Sequence, residues 1–146
     1  MAEEITNAKH PEEGVLFGGQ PSEAQIAELA EAGYGTIIDL RGEGEARGFD
    51  QAAAVEAAGM EYVTIPFTAD TLPSGQPFAD FIEAFRDAER PVVVHCASGN
   101  RVGGAYYAWL VDEKGMDRAE ASEKAQEAGL RSAQIEAAAN RWLDQQ

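Results

Sequence analysis

Short apolar runs alternate along this chain with segments whose apolar residues recur every three or four positions. The apolar runs predict strands at Val15–Phe17, Thr36–Leu40, Glu61–Pro66 and Val92–Val94. The periodic segments predict helices after Ser22, over 50–58, over 77–88, from Arg101 to near Gly115, over 118–128 and over 132–143. Strands that alternate with helices indicate an α/β fold with a mainly parallel central sheet flanked by helices.

The chain of 146 residues fits a single domain and shows no internal repeat or interdomain linker. Residues 1–12 are polar and lack periodicity, so they predict a loose N-terminal arm, in which His10 is expected to be a solvated surface residue. Residues 13–146 are then expected to form one catalytic domain.

The net charge of the chain excludes some classes of binding partner. It carries 26 acidic against 11 basic residues, a net charge of −15. Such a field repels nucleic acid and anionic membranes, so neither is expected as a partner, and no partner protein is evident. No signal peptide is visible, which favours the cytoplasm, or the periplasm if a signal peptide has been removed. Cys96 is the single cysteine, and His10 and His95 are far apart in sequence, so no metal or other cofactor is expected.

The most informative feature is that Cys96 stands where a predicted strand ends and a helix begins. Backbone amides and the helix dipole favour an anion at such a place, and they lower the pKa of a thiol. Small, turn-prone residues follow, and Arg101 adds a planar guanidinium that matches a tetrahedral oxyanion. We therefore expect a thiolate nucleophile at Cys96, with Ala97, Ser98, Gly99, Asn100 and Arg101 binding the anion.

Other polar residues are expected at the same edge of the sheet, where the carboxyl ends of parallel strands meet. The loop around Asp70 is long and turn-rich, so Asp70 is a candidate general acid that can reach a leaving group. Glu43 and Glu45 are weaker candidates for the same role.

Three further residues are expected to support the loop. The side chain of His95 should point away from the loop opening and hydrogen-bond the backbone. Asp39 is expected either to orient Arg101 or another donor or to cap the strand end, and Arg41 belongs to the same turn.

These residues resemble a known family. His95-Cys96 followed by Gly99 and Arg101, after a valine-rich strand, resembles the phosphate loop of protein tyrosine and dual-specificity phosphatases. The bacterial β-lactamase-hydrolase-like phosphatase domain is more similar still, through Gly19-Gln20-Pro21, Ile37–Arg41 and Gly59–Pro66. This resemblance spans about residues 15–110 and implies a cysteine-phosphatase-like fold. It also implies Cys96 as nucleophile, Arg101 and the loop amides as phosphate cradle, and Asp70 as the acid.

Two features of the loop keep other functions open. Four residues separate Cys96 from Arg101, whereas phosphatase loops usually have five, and the shorter loop is similar to that of rhodanese-type sulfurtransferases. Val102 follows Arg101, where phosphatases often have a hydroxyl residue. The sequence thus favours a phosphatase that acts on a small anionic substrate or a phosphoprotein. The alternatives are a sulfurtransferase that carries a Cys96 persulfide and an anion-binding regulatory module without turnover.

Overall fold

The computed structural model describes residues 4–146. Its four strands form one parallel sheet in the order β1-β4-β2-β3, which confirms the predicted α/β class. The strands are β1 (Val15–Gly18), β2 (Thr36–Asp39), β3 (Glu61–Thr64) and β4 (Val92–His95). Because β4 pairs with both β1 and β2, the residue that follows it lies at the middle of the carboxyl edge of the sheet.

Six α-helices surround the sheet in the described part of the chain. They are α1 (Glu23–Glu31), α2 (Gln51–Ala57), α3 (Gln76–Asp87), α4 (Asn100–Asp112), α5 (Arg118–Glu127) and α6 (Ala133–Leu143). A short 3-10 helix, Leu72–Ser74, precedes α3. Side chains cap four of the α-helices and fix where they begin, namely Ser22, Asp50, Asp117 and Ser132.

The two faces of the sheet bury separate apolar clusters. Helices α3, α4, α5 and α6 cover one face, where Phe17, Phe81 and Trp109 belong to the larger cluster. Helices α1 and α2 cover the other face, where Ile26 and Val55 belong to the smaller cluster. Burial on both faces explains the apolar runs of β1, β2 and β4, whereas the edge strand β3 is only partly buried.

The N-terminal segment is where the structure departs from the sequence prediction. Residues 4–12 are not a loose arm, because Ile5 is only 3% exposed and belongs to the smaller apolar cluster. Lys9 also exchanges two backbone hydrogen bonds with Phe17, at 2.8 and 2.9 Å. The edge of β1 thus gains a backbone partner that the polar composition does not reveal. Residues 1–3 of the predicted arm lie outside the described residues.

None of the helices between residues 4 and 146 combines the length and the apolar character that crossing a bilayer requires.

Candidate active site

Cys96 follows the last residue of β4 and is 1% exposed. Its amide donates to the carbonyl oxygen of Gly18 at 3.2 Å, which extends the pairing of β4 with β1 by one residue. Its Sγ atom accepts a hydrogen bond from the amide of Gly99 at 3.1 Å. Gly99 has a φ of +97°, a left-handed conformation that glycine adopts without strain and that turns the chain from the loop into α4.

The N-terminus of α4 faces this loop without a side-chain cap. The amide of Gly103 donates to the carbonyl oxygen of Gly99 at 3.0 Å and makes the first hydrogen bond of the helical ladder. The preceding amides, those of Asn100, Arg101 and Val102, have no acceptor within the helix. Together with the helix dipole they make the region above Cys96 favourable for an anion.

Arg101 is held by a carboxylate from another loop. Its Nη1 and Nη2 atoms lie 2.7 and 2.9 Å from the two carboxylate oxygens of Glu45, and Nη1 also donates to the carbonyl oxygen of Phe67 at 3.2 Å. The hydrogen bonds from Arg101, together with those from the Gly42 amide and Arg41, hold the pKa of Glu45 well below its usual range. Glu45 is therefore ionised at neutral pH and has no proton to give a leaving group.

The guanidinium of Arg101 also interacts with Cys96. Hydrogen bonding to Glu45 is the main reason that the pKa of Arg101 is raised, and its interaction with the Cys96 sulfur acts in the same direction. The structure thus brings the predicted nucleophile and the predicted anion-binding side chain together at one end of α4.

Asp39 is fully buried at the end of β2. It accepts hydrogen bonds from the amide of Arg41 at 2.8 Å, from Nε of Arg47 at 2.7 Å and from the hydroxyl of Tyr62. Burial opposes ionisation of Asp39, but the hydrogen bonds from Arg47, the Tyr62 hydroxyl and the Arg41 amide outweigh it, so its pKa is lowered. The donor that Asp39 orients is therefore Arg47 rather than Arg101.

His95 is fully buried, and its ring is hydrogen-bonded on both sides. Its Nε2 atom lies 2.7 Å from the side-chain nitrogen of Gln51, and its Nδ1 atom lies 3.2 Å from the carbonyl oxygen of Cys96. The amide nitrogen of Gln51 can only donate, so His95 Nε2 is the acceptor. The ring proton is therefore on Nδ1, which donates it to the carbonyl oxygen of Cys96. Burial lowers the pKa of His95, which fits this neutral form.

Hydrogen bonds continue from Gln51 back to Arg101. Gln20 donates to the Gln51 oxygen at 2.7 Å, and Arg41 donates to the Gln20 oxygen at 2.9 Å. Nε of Arg41 then donates to Glu45 at 3.0 Å, and Glu45 holds Arg101. We call this set the polar circuit; it comprises His95, Gln51, Gln20, Arg41, Glu45 and Arg101. It connects the backbone carbonyl of Cys96 to the guanidinium of Arg101.

Sequence reasoning missed four of the residues that support the site. Arg47 and Tyr62 are paired with Asp39, whereas Gln20 and Gln51 belong to the polar circuit. Gln20 lies in the Gly-Gln-Pro segment on which the family resemblance partly rests, so that segment was the available indication. Gln51 is a polar residue at the start of a helix, where an exposed position is usual, and no pattern marks it as buried.

Polar atoms outside the loop hold it in place. The Ala97 carbonyl oxygen accepts from the amide of Gln20 at 3.1 Å, and the Ser98 hydroxyl accepts from Arg131 Nη2 at 2.9 Å. The side-chain oxygen of Asn100 accepts from the amide of Arg131 at 2.7 Å. The side chains of Ser98 and Asn100 thus bind other parts of the protein. The groups of these residues that stay available for the predicted anion are their backbone amides.

Asp70 lies in an exposed turn between β3 and α3. Within residues 4–146, no hydrogen bond or ion pair holds its carboxyl group. Its neighbours Thr68 and Ala69 line a cavity of about 600 Å³ together with Arg101, but Asp70 does not line it. Glu43 is exposed and lines a different cavity, beside Arg41 and Arg47. Of the three candidate acids, only Glu45 binds Arg101; neither Asp70 nor Glu43 is held against the loop.

Two remaining features bear on the chemistry. Val102 is fully buried in the larger apolar cluster, so the position after Arg101 serves packing. In the described part of the chain, no group of three or more His, Cys, Asp or Glu side chains is arranged to hold a metal ion.

A parallel sheet whose inner strand β4 is followed directly by a cysteine, with an arginine in the first turn of the next helix, defines this domain as one with the cysteine-phosphatase fold. The fold matches that of Tk-PTP in its active form with a TM-score of 0.78, at 23% identity, over 95% of this chain and 97% of that one. It also matches a putative phosphatase (DUF442) from Shewanella putrefaciens CN-32 with a TM-score of 0.76, at 22% identity, over 97% of this chain and 93% of that one.

The chain belongs to the family described as "DSP-PTPase phosphatase fused to NAD+ Kinase", which matches residues 1–146. A relative is the beta-lactamase hydrolase-like protein of Agrobacterium fabrum, which is 30% identical over 138 residues. That match covers 92% of this chain but 31% of the relative, so the chain spans about a third of its length. The resemblance to the phosphatase superfamily and to β-lactamase-hydrolase-like proteins is thereby confirmed.

Proposed function

We propose that this domain is a cysteine-dependent phosphatase that hydrolyses phosphate monoesters through a phosphocysteine at Cys96. The observation that carries the proposal is the position of the Cys96 sulfur at the N-terminus of α4. The sulfur accepts a hydrogen bond from the Gly99 amide at 3.1 Å and interacts with the Arg101 guanidinium. Phosphatase family membership supports the same chemistry.

In the first step, the Cys96 thiolate attacks phosphorus, so that an S–P bond forms and the P–O bond of the ester breaks. The loop amides and Arg101 stabilise the charge on the equatorial oxygens. Arg101 is suited to this because the contacts from Nη1 and Nη2 to Glu45 leave its Nε atom free for a phosphate oxygen. Asp70 gives its proton to the leaving oxygen.

In the second step, water attacks phosphorus, the S–P bond breaks, and inorganic phosphate leaves. The proton of that water returns to the Asp70 carboxylate. Asp70 suits both roles because no partner within the described residues holds its carboxyl group and because its turn borders the cavity that Arg101 lines. We propose that this turn moves toward the loop when an ester binds.

The test is to assay the purified protein side by side on an aryl phosphate and on thiosulfate with a thiol acceptor. We expect turnover of the aryl phosphate and none of thiosulfate, and we expect the Cys96→Ser variant to lose turnover while it keeps its fold by circular dichroism. Turnover of thiosulfate alone would refute the phosphatase assignment and support the sulfurtransferase. Binding of phosphate without turnover of either substrate would leave an anion-binding module.

A further inference from the structure

The cavity beside Arg101 carries an arginine that the proposed chemistry does not use. Its volume is about 600 Å³, and its apolar wall comes from Phe67, Leu72, Pro73, Ile135 and Ala138. A volume of this size suits a small organic molecule. Arg101 and Arg141, the latter from the last turn of α6, both line the cavity.

Arg141 differs from the other arginines of the protein. Across residues 4–146, each of the other arginines donates from its guanidinium to a carboxylate, a carbonyl oxygen or another side-chain oxygen, whereas Arg141 has no such acceptor. The last turn of a helix favours a cation, and this accounts for a positive charge at the position. It does not account for an arginine without a carboxylate in a chain with 26 acidic residues.

The other charged side chains of the cavity do not neutralise Arg141. Glu45 also lines it, but both of its oxygens are bound to Arg101, with further hydrogen bonds from Arg41 and the Gly42 amide. The cavity is therefore lined by the arginine of the proposed phosphate site, by apolar side chains, and by a second positive charge at Arg141 that is open to an anion.

We propose that the substrate is a small phosphate monoester whose apolar body fills this cavity and carries a second anionic group that binds Arg141. This inference rests on the proposed phosphatase function. The second group is a carboxylate or a phosphate, since either matches a planar guanidinium. The remote charge is recognised outside the reacting centre, so Arg141 determines specificity rather than taking part in the reaction.

The experiment compares two esters that differ in one charge, the phosphate esters of 3-(4-hydroxyphenyl)propionate and of its neutral carboxamide. The phenol leaving groups are nearly identical, so the ratio of kcat/KM reports the remote charge. We expect the wild-type protein to prefer the propionate ester about fivefold, as fits one partly exposed ion pair. Arg141→Gln should abolish the preference, and Arg141→Lys should restore part of it. Arg86→Gln removes an exposed arginine that does not line the cavity and should keep the preference.

A binding measurement on the Cys96→Ser variant separates this inference from the proposed function, because it does not need turnover. Titration calorimetry should show the propionate ester binding more tightly than the carboxamide ester, with the difference lost when Arg141→Gln is added. Turnover of both esters with equal kcat/KM, or a preference that survives Arg141→Gln, would overturn the Arg141 site and leave the phosphatase standing. Tighter binding of the propionate ester without turnover would support the site and overturn the phosphatase. Equal binding without turnover would overturn both.

Discussion

Replacement of Gln51 by leucine tests whether the polar circuit holds the loop of the nucleophile. Gln51 is 2% exposed, and its side chain joins Gln20 and His95 at 2.7 Å each. Leucine is close to it in size but forms no hydrogen bonds. The Nε2 atom of His95, in a fully buried ring, would then have no donor. Gln20 keeps its bond to the Pro21 carbonyl oxygen.

The cost follows from that difference. One buried acceptor left without a partner destabilises a protein by about 1–3 kcal/mol. The loss of one hydrogen bond from the side-chain nitrogen of Gln20 costs less, because that nitrogen still donates to Pro21. We therefore expect Gln51→Leu to lower the free energy of unfolding in urea by about 2 kcal/mol. The matched control is Gln126→Leu, on the exposed side of α5, which should change it by less than about 0.5 kcal/mol. A Gln51→Leu protein as stable as the control would show that the circuit does not hold His95.

A charge at the same position gives an independent test. Burial lowers the pKa of His95 in the folded protein, and Arg47 and Arg41 act in the same direction, whereas Asp39 and the Cys96 carbonyl raise it. Below its ordinary pKa of about 6.5 the unfolded chain binds the extra proton, so stability falls as the pH drops. Gln51→Glu places a carboxylate against the ring and raises the pKa of His95, so this acid-dependent loss should shrink.

The measurement is the free energy of unfolding at about pH 7.5 and about pH 5.5, a range above the titration of most carboxylates. Gln126→Glu is the matched control, because it adds a carboxylate at an exposed position of α5 and should leave the slope with pH as it is in the wild type. An equal slope in Gln51→Glu and the wild type would contradict a buried neutral His95.

Three further predictions concern the site itself. Arg101→Ala should weaken competitive inhibition by vanadate by about 10-fold or more, because a charge-assisted anion contact is lost; unchanged inhibition would remove Arg101 from the cradle. Asp70→Asn should slow turnover of alkyl phosphates by about 100-fold but leave a nitrophenyl phosphate much less affected, since a good leaving group needs no proton; equal effects on both esters would exclude Asp70 as the acid. Glu45→Gln should destabilise the protein by about 1 kcal/mol near neutral pH, after allowance for the exposure of the pair. Because the folded-state pKa of Glu45 is depressed, that deficit should shrink as the pH falls below about 4, and a deficit independent of pH would contradict the ion pair.

The architecture was predictable because each element carries its own local pattern. Helix α2 shows this, with Asp50 as an N-cap and Gly59 just beyond its end. The placement of Cys96 at the carboxyl edge followed from topology, since any loop after a parallel strand opens there. The structure puts Gly18, Asp39 and His95 in one register at that edge.

The connections within the site were not predictable in the same way. Glu45 and Arg101 are 56 residues apart, and Gln51 and His95 are 44 apart. Local patterns hold no information about such pairs, because loop conformation decides which side chains meet. The packed segment 4–12 shows the same limit, since Ile5, with Ala8 packed against the same cluster, anchors a stretch whose mostly polar composition predicts a solvated arm.

The position of Cys96 after the inner strand has a consequence for how the protein loses activity. β4 is hydrogen-bonded to a strand on each side. Its residues Val92 to Val94 are fully buried and contribute to both apolar clusters. Such a strand exchanges its amide protons only through global opening. Cys96, directly after β4, and Arg101, in the first turn of α4, are therefore expected to unfold with the core, whereas the turn with Asp70 lies at the surface. Denaturant should thus abolish phosphate binding and secondary structure in one coincident transition, and protection from hydrogen exchange should be highest in the strand that delivers the nucleophile.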